Sequence, residues 1–261
     1  MATNGDLELM VQVAREAGEI AMRYFRAENR VWMKSGDSPV SEADYRVNDH
    51  LHEALIAARP DYGWLSEESE QSDERLGRQR IFIVDPIDGT RGFIAGEEQW
   101  SICLAVVANG RPETAVVHCP AMERTFTAAL GAGSMLNGEP INNPASSDIR
   151  TVTASKRLNI EIAERIGDRV DVVPFIPSLA CRLVMVANGD LDGALARPGA
   201  HDWDIAAADL ILGEVGGSIV DLDGKPLRYN QEKLGFGSLL AAGPGRYEAL
   251  LALAEDGGFL H

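Results

Sequence analysis

The sequence predicts a mixed fold, α+β or α/β, and three observations carry it. Leu7, Met10, Val13, Ala14, Ala17, Ile20, Ala21, Tyr24 and Phe25 recur at helical spacing. Ile81-Phe82-Ile83-Val84 is a run of β-branched and aromatic residues, the composition of a short buried strand. Asn109-Gly110, the strongest hairpin signal in the chain, separates two apolar, strand-like runs. The strand at 81–84 runs straight into Asp85-Pro86-Ile87-Asp88-Gly89-Thr90. In an α/β protein such a strand end points its groups into a crevice.

Taken in order, the first helix covers 7–25, and an extended piece follows at 31–34. Ser35-Gly36-Asp37-Ser38-Pro39 reads as a loop. Ser41 starts a second helix that runs to about Ala58. Ser41-x-x-Asp44 resembles a capping box with Asp in place of the usual Glu or Gln. From the residues alone, capping is the preferred role of Asp44, and a reach into the acidic site is the alternative. Pro60 ends the helix, and a short strand at 62–66 leads to Glu67-Glu68. Neighbours on a strand point to opposite faces. So at most one of these two acids faces the site, and the other is expected to meet solvent.

After the central motif, strands at 101–108 and 114–119 form the hairpin. Strands at 125–130 and 134–136 continue a meander, with turns at Gly131, Gly133, Asn137 and Gly138. Gly131-x-Gly133 completes no dinucleotide fingerprint. Asn142-Asn143-Pro144-Ala145-Ser146-Ser147 marks a boundary between subdomains 1–146 and 147–261. Beyond it, strands at 151–154 and 171–175 flank a helix near 160–166. Ser178 caps a helix to Asn188, and a strand follows at 193–196. Asp190-x-Asp192-Gly193 and Asp221-x-Asp223-Gly224 lack the later ligands of a calcium loop and read as tight turns. His201-Asp202-Trp203-Asp204 precedes an apolar helix at 205–214 that ends at Gly216-Gly217. Asp204 is either an N-cap or a third carboxylate brought to the site. His201 reads as a loop histidine, since hard cations have little use for imidazole. Strands at 218–220 and 238–242 and a helix at 245–254 close the chain.

Composition limits the function classes. Across 261 residues, 40 acids against 24 Lys and Arg give a formal charge of −16. That argues against a nucleic-acid polymer as partner, which would need a basic face. It allows a small phosphorylated ligand, because a bound metal inverts the local sign. Apolar residues make up 45%, ample for a core. Cys103, Cys119 and Cys181 are odd in number and form no CxxC pair, so reduced, buried thiols in a cytoplasmic protein are expected. No apolar run approaches a membrane span. Asp6 and Glu8 stand where a signal peptide would be basic.

Asp85 and Asp88 repel each other unless a cation lies between them. A hard divalent ion held through oxygen, Mg²⁺ or a similar one, is the economical partner. The amides of Gly89 and Thr90 follow at once, and such amides bind anions. Metal beside anion cradle points to phosphate chemistry. The competing reading is two turn dipeptides, Asp-Pro and Asp-Gly.

Glu67-Glu68-Ser69, Asp85-Pro86-Ile87-Asp88-Gly89-Thr90, and Trp203-Asp204 followed by Ala206-Ala207-Ala208-Asp209 together resemble the inositol monophosphatase-like superfamily. The order and separations fit over nearly the whole chain. These are lithium-sensitive, Mg²⁺-dependent phosphomonoesterases. The resemblance implies a layered αβαβα sandwich with the site between two subdomains, two or three Mg²⁺ ions, and a homodimer. It implies that Glu67, Asp85, Asp88, Asp204 and the carbonyl of Ile87 ligate metal. Glu67 would help to activate water. Thr90, hydrogen-bonded to Asp44, would orient or deprotonate that water, a role set against the capping of Asp44. Gly89, Thr90, Ala180 and Arg197 would contact substrate. Water attacks directly, so no phosphoenzyme is expected.

In inositol-specific members an acid stands at the position of Arg197. A cation there suits a second phosphate better than a neutral polyol. Arg91-Gly92-Phe93-Ile94 is closer to the bacterial 3′(2′),5′-bisphosphate nucleotidase branch, although that branch's usual acid is Gly92 here. 3′-Phosphoadenosine 5′-phosphate is therefore the expected substrate, with inositol 1-phosphate and histidinol phosphate as alternatives. A non-catalytic, metal-dependent phospholigand sensor is the competing class. Arg182 is a second candidate phosphate contact, with a surface helix position as the preferred reading.

Overall fold

The structure is a computed structural model that describes residues 4–34 and 39–259; the loop expected at 35–38 lies outside the described residues. Helix α1 (Asn4–Met22) buries the apolar stripe read from the sequence, including Met10, Val13, Ala14, Ala17 and Ala21. Strands β1 (Val31–Met33) and β2 (Pro39–Ser41) pair antiparallel and lead into α2 (Glu42–Ala58). Strands β3 (Gly63–Ser66) and β4 (Arg80–Asp88) are parallel neighbours. A short helix, α3 (Thr90–Ala95), follows β4 directly. Then come β5 (Ser101–Ala108), β6 (Arg111–Cys119), β7 (Arg124–Ala129), β8 (Ser134–Leu136) and β9 (Glu139–Pro140). β3 to β9 form a seven-stranded sheet in chain order, antiparallel from β4 onward. Asn109 and Gly110 join β5 to β6 with φ of 53° and 73°, the left-handed pair that a two-residue hairpin turn needs.

The second half supplies β10 (Thr151–Thr153), α4 (Lys156–Ile166), β11 (Asp171–Val172), α5 (Leu179–Asn188), β12 (Gly193–Ala196) and α6 (Asp202–Glu214). It closes with β13 (Ser218–Asp221), β14 (Leu239–Ala242) and α7 (Tyr247–Asp256). Its five strands order as β11-β10-β12-β14-β13. Several expected bounds shift. β4 runs on through Asp88, the strand at 171–175 ends at Val172, and the last helix starts at Tyr247.

Three cores give the layers. Successive side chains on a strand alternate between faces. Phe82 and Val84 of β4 therefore meet α1 and α2, while Ile81 and Ile83 meet α5 and α6. Both faces of the strand are covered, which is why it reads as one continuous apolar run. α6 is apolar nearly all round because it lies between two sheets. Ala194, Ile219, Leu239 and Ala241 of the second sheet close over that layer. The outer face of the second sheet, with Val152, Leu195, Val220 and Leu240, packs on α4 and α7. The fold is a layered αβαβα sandwich. Cys103, Cys119 and Cys181 are free and buried. Among the described residues no helix is long and apolar enough to cross a membrane.

Candidate metal centre

The end of β4 is irregular. Its register against β5 shifts between Asp85 and Asp88, so both acids leave the strand into one crevice. The first turn of α6 brings Asp204 from the other half of the chain. Asp85, Asp88 and Asp204 each offer an oxygen, and these oxygens lie within 4.8 Å of one another. Each acid is anchored on one side. Asp85 Oδ1 accepts from the Ile87 amide at 3.0 Å. Asp88 Oδ2 accepts from the Ala180 amide at 2.6 Å and from the Ser178 hydroxyl. Asp204 Oδ2 accepts from the His201 amide at 2.6 Å.

The electrostatics of this cluster are unfavourable without a cation. Burial, then the charges of Glu67, Asp88 and Asp204, push Asp85 well above the usual carboxylate range. Burial also raises Asp88, against the lowering effect of Ser178 and Ala180. Asp204 rises through burial and the charge of Asp88. Asp85 Oδ2 is buried with no hydrogen-bond partner among the described residues. A buried polar atom with nothing to bond calls for a missing ligand. Oxygen donors of this kind suit a hard divalent cation, so the residues fit the metal that the sequence suggested.

Glu67 lines the same cavity, whose volume is about 250 Å³. It stands apart from the three clustered acids because its Oε1 accepts from Lys34 Nζ at 3.0 Å. Lys34 also donates to Glu68 Oε1 at 2.6 Å. Strand alternation does not govern this pair. β3 ends at Ser66, and Glu67 and Glu68 occupy a turn. The expectation that the second acid meets solvent is therefore wrong: the Glu68 side chain is 2% exposed. Burial raises its pKa to about 7, against the lowering effect of Lys34. No local signal marks Lys34 for this role, because it sits in a short extended piece far along the chain from either acid.

Asp44 does two jobs at once. Its Oδ2 accepts from the Ser41 amide at 2.8 Å and the Ser41 hydroxyl at 2.6 Å, which caps α2. Its Oδ1 lies 3.1 Å from Thr90 Oγ1. Capping and commitment to Thr90 were expected to exclude each other, but the two oxygens divide the work. Gly89 precedes Thr90 with φ of 90°. A Cβ there would also stand 3.0 Å from the Ser178 backbone nitrogen. The turn thus needs glycine twice over.

The sequence model of the inositol monophosphatase family matches residues 6–256. The chain belongs to the inositol monophosphatase family. It is a phosphoric monoester hydrolase. An inositol-1-monophosphatase from Rhizobium meliloti is 34% identical over 87% of this chain and 90% of its own. The 3′(2′),5′-bisphosphate nucleotidase CysQ of Haemophilus influenzae is 28% identical over 87% of this chain and 88% of its own. Among solved structures, the Thermotoga maritima IMPase superposes with a TM-score of 0.84 at 26% identity, covering 97% of this chain and 98% of that one.

Within this member of the family, the expected substrate contacts divide. Gly89 and Thr90 line the metal cavity. Ala180 is fully buried, and its amide is spent on Asp88. Arg197 lies outside the metal cavity. It lines a neighbouring cavity of about 260 Å³ that shares Asp204 as a wall. Its Nη2 donates to Glu161 Oε2 at 2.6 Å. Arg182 is not a surface residue: it is 7% exposed and lines the same second cavity. His201 is no ligand of the cluster. It is the N-cap residue of α6, and its ring stacks on Trp203 at 4.9 Å. Ser178 holds Asp88 as well as capping α5, a role that no local signal carries.

Proposed function

We propose that this enzyme is a Mg²⁺-dependent phosphatase that hydrolyses a small phosphomonoester by direct attack of water. Asp85, Asp88, Asp204, Glu67 and the Ile87 carbonyl would hold two or three ions. The observation that carries this is the unpartnered Asp85 Oδ2 within a cluster of three carboxylates beside Gly89 and Thr90. Bound divalent cations supply the positive charge that acidifies a water and offsets charge on the phosphoryl oxygens. The remaining work falls to the chain. The amides of Gly89 and Thr90 orient the phosphoryl group. Thr90 Oγ1, shared between Asp44 and the Ile87 carbonyl, orients the attacking water and relays its proton towards Asp44. Glu67, which lines the same cavity and now pairs with Lys34, would exchange that partner for an ion. The two sheets serve as subdomains, 1–146 and 147–261, with the site between them.

A 3′(2′),5′-bisphosphate nucleotide is the substrate we favour. Support comes from the cations of the second cavity and from the likeness to the Haemophilus influenzae protein of that name. Inositol 1-phosphate is the second reading, favoured by the higher identity to the Rhizobium meliloti protein. The test is phosphate release with Mg²⁺, and with chelator in its place, on four compounds. These are 3′-phosphoadenosine 5′-phosphate, inositol 1-phosphate, histidinol phosphate and fructose 1,6-bisphosphate. Mg²⁺-dependent release led by the nucleotide supports the reading, and preference for inositol 1-phosphate overturns its substrate. Mg²⁺-dependent binding with no release from any compound would make the protein a sensor.

A further inference from the structure

Asp204 belongs to the second half of the chain, while Glu67, Asp85 and Asp88 belong to the first. Their spacing depends on how the start of α6 is held. Asp202 opens that helix and is fully buried. Its Oδ2 accepts from the Asn230 amide at 2.6 Å, and its own amide donates to the Leu234 carbonyl at 3.1 Å. The loop from Asn230 to Leu234 therefore grips the first residue of α6 by side chain and backbone at once. Asn230 takes a left-handed φ of 55°, a conformation that asparagine adopts more readily than most residues.

The far end of this grip is an arginine of the first half. Arg75 lies in a short 3₁₀ helix (Asp73–Gly77) that follows the Glu67–Glu68 turn, and it is 4% exposed. Its Nη1 donates to Asn230 Oδ1, and its Nη2 donates to the Gln231 carbonyl at 2.9 Å. Asn230 Nδ2 reaches back to the Arg75 carbonyl at 3.4 Å. One planar guanidinium thus holds two neighbouring residues of the loop, and its rigid fork fixes direction as well as distance. The arrangement is costly. Arg75 Nε and Asp202 Oδ1 are both buried without a hydrogen-bond partner among the described residues. A buried ionic network with orphaned atoms is weak evidence for stability, and its best-attested use is to fix one arrangement among several.

We propose that Arg75 is a positioning residue for the metal centre. Through Asn230 and Asp202 it sets the first turn of α6, and so the place of Asp204 against Glu67 and Asp85. The inference rests on the reading of these acids as ion ligands and adds the residue that keeps the two halves of the ligand set in register. Arg75 lies outside the residues that line the metal cavity, so it acts only through the chain. Residues that orient metal ligands from behind are typically worth about 10–100-fold in affinity.

The experiment measures Mg²⁺ affinity by titration calorimetry on the full chain, beside thermal melts of the metal-free protein. Arg75→Gln removes the fork and the charge. Asn230→Gly keeps the left-handed turn and the amide that bonds Asp202 but loses the side chain that Arg75 holds. Asp204→Asn removes the ligand itself and serves as the control. Arg75→Gln should raise the Mg²⁺ Kd about 10–100-fold, while the metal-free protein keeps its wild-type circular dichroism. Asn230→Gly should raise Kd in the same direction. The double variant should bind no more weakly than Arg75→Gln alone, because both residues act along one path. A purely structural role predicts a lower melting temperature with Kd unchanged. An unchanged Kd in either variant, with binding lost in Asp204→Asn, overturns the inference and leaves the metal centre standing. If Arg75→Gln does not fold, Asn230→Gly decides alone by the same rule. Wild-type protein that binds no Mg²⁺, or Asp204→Asn that binds it as tightly as wild type, overturns the reading of the metal centre and this inference with it.

Discussion

Asp44 touches Thr90 with one carboxylate oxygen while it caps its own helix with the other. Oδ1 lies 3.1 Å from Thr90 Oγ1, and Oδ2 takes both the amide and the hydroxyl of Ser41. The cap fixes the carboxylate in position, so the threonine hydroxyl is aimed before any substrate arrives. Thr90→Ala should cut kcat by about 10²–10⁴-fold, the usual worth of a positioned proton acceptor or donor, with little change in urea stability. Asp44→Ala should lose activity to a similar extent and about 1 kcal/mol of stability besides, because the cap goes with it. Equal kcat for Thr90→Ala and wild type would remove Thr90 from the chemistry.

Asp85 is an acid whose charge the metal-free protein bears badly. Burial and its acidic neighbours hold it well above the usual range. At neutral pH its ionised form therefore opposes folding, whereas the unfolded chain ionises freely. Asp85→Asn should leave the metal-free protein as stable as wild type or more so. Mg²⁺ at roughly a hundredfold excess over Kd should stabilise the wild type by about 2–3 kcal/mol. It should do little for the variant, whose phosphate release should fall about 10²–10³-fold or further. Thermal melts with Mg²⁺ and with chelator read the first two outcomes. A full Mg²⁺ response in the variant would show that Asp85 holds no ion.

Gly89 joins the acids to the anion cradle. Alanine there meets a left-handed φ, costing about 1–2 kcal/mol, and the Ser178 backbone nitrogen at 3.0 Å. Since Ser178 holds Asp88, the strain reaches the metal centre. Gly89→Ala should lose about 2 kcal/mol or more in urea unfolding and most of the activity. Wild-type activity in this variant would mean that the turn relaxes without moving Asp88.

His118 provides a pH dependence remote from the metal. Burial lowers its pKa from 6.5 to about 4, with a smaller contribution from Arg15. The unfolded chain thus binds the proton more readily than the folded one between these values. Stability is full above pH 6.5 and falls as pH drops towards 4, by up to about 3 kcal/mol. In His118→Gln this part of the acid sensitivity should vanish. Urea midpoints at pH 7 and pH 4.5 measure it, and an unchanged slope in the variant would place the sensitivity elsewhere.

Local chemistry in the sequence was enough for most elements. The stripe from Leu7 to Phe25, the Asn109-Gly110 turn and the apolar run before Asp85 each answer to forces within a few residues, namely burial periodicity, left-handed φ and strand preference. Asp85 and Asp88 were legible as a pair from their spacing, whereas Asp204, which reads equally well as an N-cap, joined them only through the family resemblance. Glu67 and Glu68 show where this stops: a period of two applies only inside a strand, and the strand ends one residue earlier.

What the tertiary structure alone decided were contacts across long separations. Lys34 against Glu67 and Glu68, and Ser178 against Asp88, are pairs that no local periodicity relates. The same holds for the arginines. Sequence placed Arg182 on a surface and Arg197 in the site, since a charge on a short helix is usually solvated. The packing of α5 between two sheets buries Arg182 beside Asp204, and Glu161 holds Arg197 at the rim. Composition and spacing determine which groups the chain owns. Which of them face one another depends on how the layers close, and that is a property of the packed sandwich alone.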